Sequence, residues 1–151
     1  MGNYSFEADL AIAKQTELEV AEKLRYYFGI DLEFSFDNTN AYDIGCTLDG
    51  KTFTFEVKED FKCMNTGNVC VEFECRGKPS GIAVSKANFT IYKIHESPVN
   101  FGYYMCSTRI LRDMIAAQSY FRIFDAGGDA GSNTKGYLFK LAVYKSFTDK
   151  L

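Results

Sequence analysis

The sequence predicts a mixed α/β (α+β) domain: a long leading helix, an antiparallel meander, then a second helix and further strands. Three observations carry this expectation. Apolar residues recur at helical spacing from Phe6 to Phe28. Two alternating runs, AYDIGCTL (41–48) and KTFTFEVKED (51–60), meet at Asp49-Gly50, a strong two-residue hairpin signal. Further strand-like runs, beginning with NVCVEFECR (68–76), follow that hairpin.

The leading helix ends before Gly29, a residue suited to a helix C-cap. At 100° per residue, Leu10, Ala13, Val20, Ala21, Leu24 and Phe28 fall within about 60° of one line, with Glu17 at its centre. Glu19 and Glu22 are expected to face elsewhere. An acid within an apolar stripe is costly unless it is paired. A small shift of the helix boundary would instead let Glu17 reach water, so both readings stand.

A strand over Leu32 to Phe36 and a polar turn at Asp37 to Asn40 lead into the hairpin. Its two-residue loop fixes the register: Leu48 opposes Lys51, Thr47 opposes Thr52, Ile44 opposes Phe55, and Asp43 opposes Glu56. One sheet face then carries Asp43, Gly45, Thr47, Thr52, Thr54, Glu56 and Lys58. The other carries Ile44, Cys46, Leu48, Phe53, Phe55 and Val57.

Downstream, 68–76 alternates Val69, Val71, Phe73 and Cys75 against Cys70, Glu72, Glu74 and Arg76, after a turn around Asn65 to Gly67. GKPSG (77–81) reads as a loop, SKAN (85–88) as a short helical turn, FTIYKI (89–94) as a strand and GYYMCS (102–107) as another. Ser107 or Thr108 can cap a helix running to about Gln118, with Ile110, Leu111, Met114 and Ile115 on its apolar side. SYFRIFDA and GYLFKLAVY read as closing strands around the Gly-rich AGGDAGSNTKG.

With 151 residues, two prolines and no internal repeat, residues 1–151 read as a single domain. The chain is 46% hydrophobic and 16% aromatic, enough for a substantial core. No apolar stretch approaches the roughly 18 residues of a membrane span, and the N-terminus lacks an export pattern. Five cysteines at 46, 63, 70, 75 and 106 form no CxxC pair, and the odd number argues against a disulfide framework. A reducing cytoplasm is the expected location, with no membrane partner. His95, the one histidine, reads as a surface or loop residue. AGGDAGSNTKG does not follow the nucleotide-loop pattern and reads as a hairpin loop.

The chemistry centres on Asp43, Glu56 and Lys58. Like charges opposed across a hairpin destabilise it, so the Asp43 and Glu56 pair calls for a counter-ion. Mg²⁺ or Mn²⁺ suits oxygen ligands and uses one or two carboxylates with water. Lys58 shares the face of Glu56 and can hold a water or steady charge developing on a phosphate. The bland alternative is a solvated strand face, which leaves Asp43 unexplained. Glu72 and Glu74 likewise fit an ordinary polar strand face.

Asp43, then Glu56-Val57-Lys58 after a gap of twelve residues, preceded by a helix bearing Glu17, resembles the PD-(D/E)XK nuclease superfamily. Tyr42-Asp43 stands where that motif has proline and aspartate. The resemblance covers residues 6–94 best, and TGNVCVEFECRGKPSGIAVSKANFTIY is similar to phage-encoded members, in which a strand glutamate and a PSG loop follow the ExK strand. It implies a restriction-endonuclease-like core of helix, three-strand meander, helix and strand, with C-terminal strands added. It also implies that Asp43, Glu56 and the Val57 carbonyl bind Mg²⁺, that Lys58 orients the attacking water, and that Glu17 and Glu72 are further candidate ligands. Ser80, Gly81, Lys78 and Lys86 are the candidate substrate contacts; Asn88 takes no role.

The implied activity is Mg²⁺-dependent hydrolysis of phosphodiester bonds in DNA, by a Holliday-junction-resolvase-like, structure-selective endonuclease of phage recombination, repair or replication. The implied partners are DNA, branched substrates included, and a second copy in a homodimer. A restriction-type endonuclease, or a catalytically silent nucleic-acid-binding or assembly protein with this fold, is the alternative. The net charge of −3 is not the footprint of a nucleic-acid binder, although bound divalent cations offset it.

Overall fold

A two-residue bend with both residues in the left-handed region, Asp49 at φ 50° and Gly50 at φ 78°, organises the first sheet. The structure is a computed structural model and describes residues 6–28, 34–36, 42–127 and 133–151. Its elements are α1 (Phe6–Phe28), β1 (Phe34–Phe36), β2 (Ile44–Leu48), β3 (Lys51–Asp60), α2 (Cys63–Thr66), β4 (Asn68–Cys75), β5 (Lys78–Pro79), a 3-10 turn (Gly81–Ala83), β6 (Phe89–His95), β7 (Phe101–Ser107), α3 (Thr108–Ala116), β8 (Arg122–Gly127), β9 (Thr134–Lys140), α4 (Leu141–Ser146) and β10 (Asp149–Lys150). The described residues thus form a mixed α/β fold with two sheets and four α-helices.

The first sheet runs β1-β2-β3-β6-β7-β10, and the second β5-β4-β9-β8. The β2-β3 register is the one the hairpin predicts, from Ile44 opposite Phe55 to Leu48 opposite Lys51. β6 lies parallel to β3, with Phe55 beside Phe89 and Asp60 beside Ile94. The other pairings among the described residues are antiparallel.

Each face of the first sheet carries its own core. Val20 and Leu24 of α1 cover Ile44, Cys46, Phe55, Ile91, Tyr103 and Met105. On the other face, Tyr92, Ile94, Tyr104 and Cys106 meet Val69, Val71 and Phe139 of the second sheet, with Leu111 of α3 and Tyr144 of α4. Alternation along β6 and β7 therefore supplies both cores from the same strands.

The expected antiparallel meander is formed by β1, β2 and β3, with Phe34 opposite Cys46 and Ile44 opposite Phe55, and it ends at β3. β4 does not pair with β3 but joins β9, with Val69 opposite Phe139. The cause lies at Asp60, buried at the end of β3, whose carboxylate accepts the backbone N–H groups of Lys62 (3.0 Å), Cys63 (2.9 Å) and Cys70 (3.0 Å). This holds α2 as a tight reversal and directs β4 out of the first sheet, leaving that edge of β3 to β6.

Smaller expectations shift as well. Leu10 and Phe28 are exposed and Ala13 with them, because the buried part of α1 is limited to Thr16, Val20, Ala21 and Leu24. Glu19 does not face elsewhere: it turns to the sheet, where Lys93 Nζ and Tyr103 OH donate to it. The helical turn falls at 81–83 rather than at 85–88, with Arg112 holding the Ile82 and Ser85 carbonyls (3.1 and 2.6 Å). The run GYLFKLAVY is strand only to Lys140 and then helix. Ser107 caps α3 as expected, accepting from the Ile110 N–H at 3.0 Å. Gly29, Leu32, the turn at 37–40 and the centre of the Gly-rich loop lie outside the described residues.

Candidate functional site

The pairing of β2 with β3 stops at Ile44 and Phe55, so among the described residues no strand covers the β2 side of residues 56–60. Asp43 sits at this fork. Its N–H donates to the Phe55 carbonyl (2.9 Å), and its Oδ2 accepts the Val57 N–H at 2.7 Å. The carboxylate therefore takes the ladder position that a longer β2 would have filled.

Successive residues of β3 leave this edge on opposite faces. Glu56 and Lys58 point toward the second sheet, with Lys58 Nζ 3.2 Å from Glu56 Oε1. Val57 and Glu59 point toward α1. A cleft of about 460 Å³ opens between α1 and the fork, bordered by Glu17, Asp43, Val57, Lys58 and Glu59. A site that draws on both faces is accessible only because the sheet edge is open here.

Burial, and after it the neighbouring carboxylates, set the electrostatics of the fork. Burial raises the Glu17 pKa above its ordinary 4.5, helped by the charges of Asp43 and Glu56 and opposed by Lys14. Burial also raises that of Glu56; Lys58 opposes the shift and Asp43 adds to it. For Lys58 burial works downward, but the charges of Glu56, Asp43 and Glu72 prevail and raise its pKa, so the ammonium stays protonated. Lys58 thus answers to several acids at once, an arrangement that an additional cation would relieve.

The donor set fits such an ion. Asp43 and Glu56 offer oxygen atoms, the Val57 carbonyl adds another, and a small hard cation completes its shell with water. Among the described residues no three His, Cys, Asp or Glu side chains are gathered as a preformed metal cluster. Two carboxylates plus carbonyl and water is a set that Mg²⁺ uses and a thiolate-binding metal does not.

Glu17, Asp43 and Lys58 border the cleft, Glu56 is paired with Lys58 on the side facing the second sheet, and the charge of Glu72 acts on Lys58. The Ser80 hydroxyl donates to Glu72 Oε2 (2.9 Å), and the Ser80 N–H to the Phe73 carbonyl (3.0 Å). Gly81 has φ 54°, and a Cβ there would come within 2.2 Å of the Glu72 carbonyl oxygen. The PSG segment thus clamps the backbone of β4 at Glu72. Lys78 and Lys86 are exposed and form no ion pair among the described residues.

Two features escape the sequence reading. Glu59 accepts from Thr16 Oγ1 (2.6 Å) and is bonded to His95 Nε2 (2.7 Å), tying α1 to β3 and β6 beneath the cleft. His95 is accordingly a half-buried strand residue rather than a surface loop residue, stacked on Phe61 with centroids 4.4 Å apart. Only the parallel β3-β6 pairing reveals this contact, which joins residues 36 apart. Asn88, which took no role in the sequence, ties β3 to the start of β6 through its Oδ1, which accepts from the Thr54 N–H and hydroxyl.

Among the described residues no helix is long and apolar enough to cross a membrane. No protein-family model, curated protein or solved structure matches the chain significantly.

Proposed function

We propose that the fork between β2 and β3 is the centre of a Mg²⁺-dependent DNA nuclease of the PD-(D/E)XK type. The observation that supports this most is the meeting of Asp43, Glu56, Lys58 and Glu17 around an open strand edge, where burial and then the charge of Asp43 raise the proton affinity of Glu17 and Glu56. A structural role for these charges would favour pairing each acid with its own base.

In this reading Asp43 and Glu56, with the Val57 carbonyl, hold the ion. The Asp43 carboxylate is already oriented by the Val57 N–H, so binding costs it little side-chain entropy. A bound divalent cation supplies Lewis acidity and lowers the pKa of water. Lys58, protonated and steadied by Glu56, donates hydrogen bonds to the attacking water or to a phosphate oxygen as negative charge builds there. Glu17 closes the cleft from α1 and adds a carboxylate for a second ion or for water. Exposed Lys62, Lys78, Lys86 and Arg122 supply backbone contacts, which govern affinity and its salt dependence rather than sequence choice.

The test is incubation of the chain with four-way junction, linear duplex and single-stranded DNA, in Mg²⁺ and in EDTA. Cleavage that requires Mg²⁺ and disappears in Lys58→Ala supports the proposal. Absence of metal-dependent cleavage of all three substrates overturns it in favour of a silent binding or assembly role.

A further inference from the structure

A second cavity, of about 500 Å³, lies between the two sheets and shares Lys58, Glu59 and Phe61 with the cleft. Each sheet contributes an aromatic ring, Phe61 just beyond β3 and Phe124 from β8, while buried Leu138 and Tyr92 line it as well. Phe61 is 48% exposed yet held in place by its stack on His95, which Glu59 in turn fixes. An exposed ring with an anchored face is preorganised to stack on a planar ligand.

The charges of this groove are asymmetric. Its acids are already engaged: Asp60 by three backbone amides, Glu59 by Thr16 and His95, and Glu72 by Ser80. These acids keep their charge but are turned onto protein donors, whereas two of the bases are not held in this way. Lys62 and Arg122 are exposed and form no ion pair among the described residues. Aromatic walls with cationic side chains match a ligand that is flat and apolar in one part and anionic in the next. Base pairs within a duplex present no free faces, whereas an unpaired nucleotide does.

We propose that the groove is a subsite that stacks an unpaired DNA base between Phe61 and Phe124, with Lys62 and Arg122 on the flanking phosphates, directly beside the cleavage centre. The inference rests on the nuclease reading for its substrate and narrows that substrate to DNA with an unpaired stretch. Stacking on an aromatic side chain contributes enough that its removal weakens binding about 5- to 150-fold per base.

Binding of a fluorescent twelve-residue oligo-dT and of a blunt twelve-pair duplex is measured by anisotropy in EDTA, so that cleavage plays no part. Phe61→Ala, and Phe124→Leu, which keeps apolar volume but removes the ring, are compared with the unaltered chain, with thermal melting as the control for folding. The expected result is at least a roughly 5-fold loss of oligo-dT affinity in each variant, with duplex affinity unchanged. No binding of oligo-dT, oligo-dT affinity equal to that of the unaltered chain in both folded variants, or an equal loss for duplex overturns the subsite. If the loss is seen but no DNA is cut in Mg²⁺, the nuclease reading fails while the subsite stands. If cutting occurs and oligo-dT affinity ignores both rings, the subsite alone fails.

Discussion

Asp43 and Val57 are joined by a 2.7 Å hydrogen bond from the Val57 N–H to the Asp43 carboxylate, where a backbone carbonyl would stand if β2 continued. Asp43 therefore ends one strand and presents an acid at the open edge of the next. Ladder continuity and charge placement are carried by the same atoms.

Replacing Asp43 with Asn separates these two roles. The amide oxygen still accepts the Val57 N–H, so Asp43→Asn folds, with Tm changed by no more than about 4 °C. Under the proposed function the lost charge removes an ion ligand, and Mg²⁺-dependent cleavage is expected to fall at least about 10²-fold, the scale for losing an electrostatic contact to the transition state. Calorimetric titration with Mg²⁺ checks the binding side, which weakens in parallel.

Lys58→Ala removes the cation that these acids share. Under the proposed function cleavage is expected to fall by about 10² to 10⁴, as for loss of a group that assists proton transfer. Mg²⁺ binding is retained or tightened, because a competing positive charge is gone. Single-turnover cleavage with titration of the metal distinguishes this from a loss of ion binding.

Glu17 imposes a pH dependence of definite sign. Its folded-state pKa is raised above 4.5 by burial and by Asp43, with Lys14 opposing and Glu56 adding, so the folded chain holds this proton more tightly than the unfolded chain. The resulting destabilisation is absent well below pH 4.5 and develops as pH rises through the elevated value. In EDTA, the Tm of Glu17→Gln relative to the unaltered chain thus increases between about pH 4 and pH 7. Mg²⁺ raises the Tm of the unaltered chain more at about pH 7 than at pH 4, since protons and cation compete for the same carboxylates.

Asp60 holds the reversal between the sheets. Asp60→Ala leaves the N–H groups of Lys62, Cys63 and Cys70 without their carboxylate partner, and Cys63 is buried. Urea denaturation should show a loss of about 3 kcal/mol, the range for removing a charged acceptor from several amides. Asp60→Asn keeps an acceptor and loses less.

Gly81 is a backbone requirement. Gly81→Ala combines φ 54° with a Cβ 2.2 Å from a backbone oxygen of Glu72. A cost above about 1 kcal/mol is expected, measured by denaturation. Displacement of the PSG segment would also release Glu72 from Ser80, so cleavage should fall together with stability.

The hairpin was legible from residues alone because its information is local. Asp49-Gly50 sets the turn, and period-two alternation assigns Ile44, Cys46 and Phe55 to one face and Glu56 and Lys58 to the other. Helix α1 and the Ser107 cap of α3 are likewise local patterns of spacing and hydrogen bonding. Glu17, Asp43, Glu56 and Lys58 could be singled out for that reason.

Only tertiary structure decided where those residues meet. Alternation shows that a strand has two faces but not which strand takes its edge, so only the tertiary structure shows that β6 lies beside β3 while β4 joins the second sheet. The choice is made by a buried carboxylate, Asp60, and by two cores that fill both sides of one sheet. Contacts such as Glu59 with His95, and the groove between Phe61 and Phe124, join segments far apart in the chain. They depend on which surfaces bury the most apolar area together, a property of the whole chain rather than of any window within it.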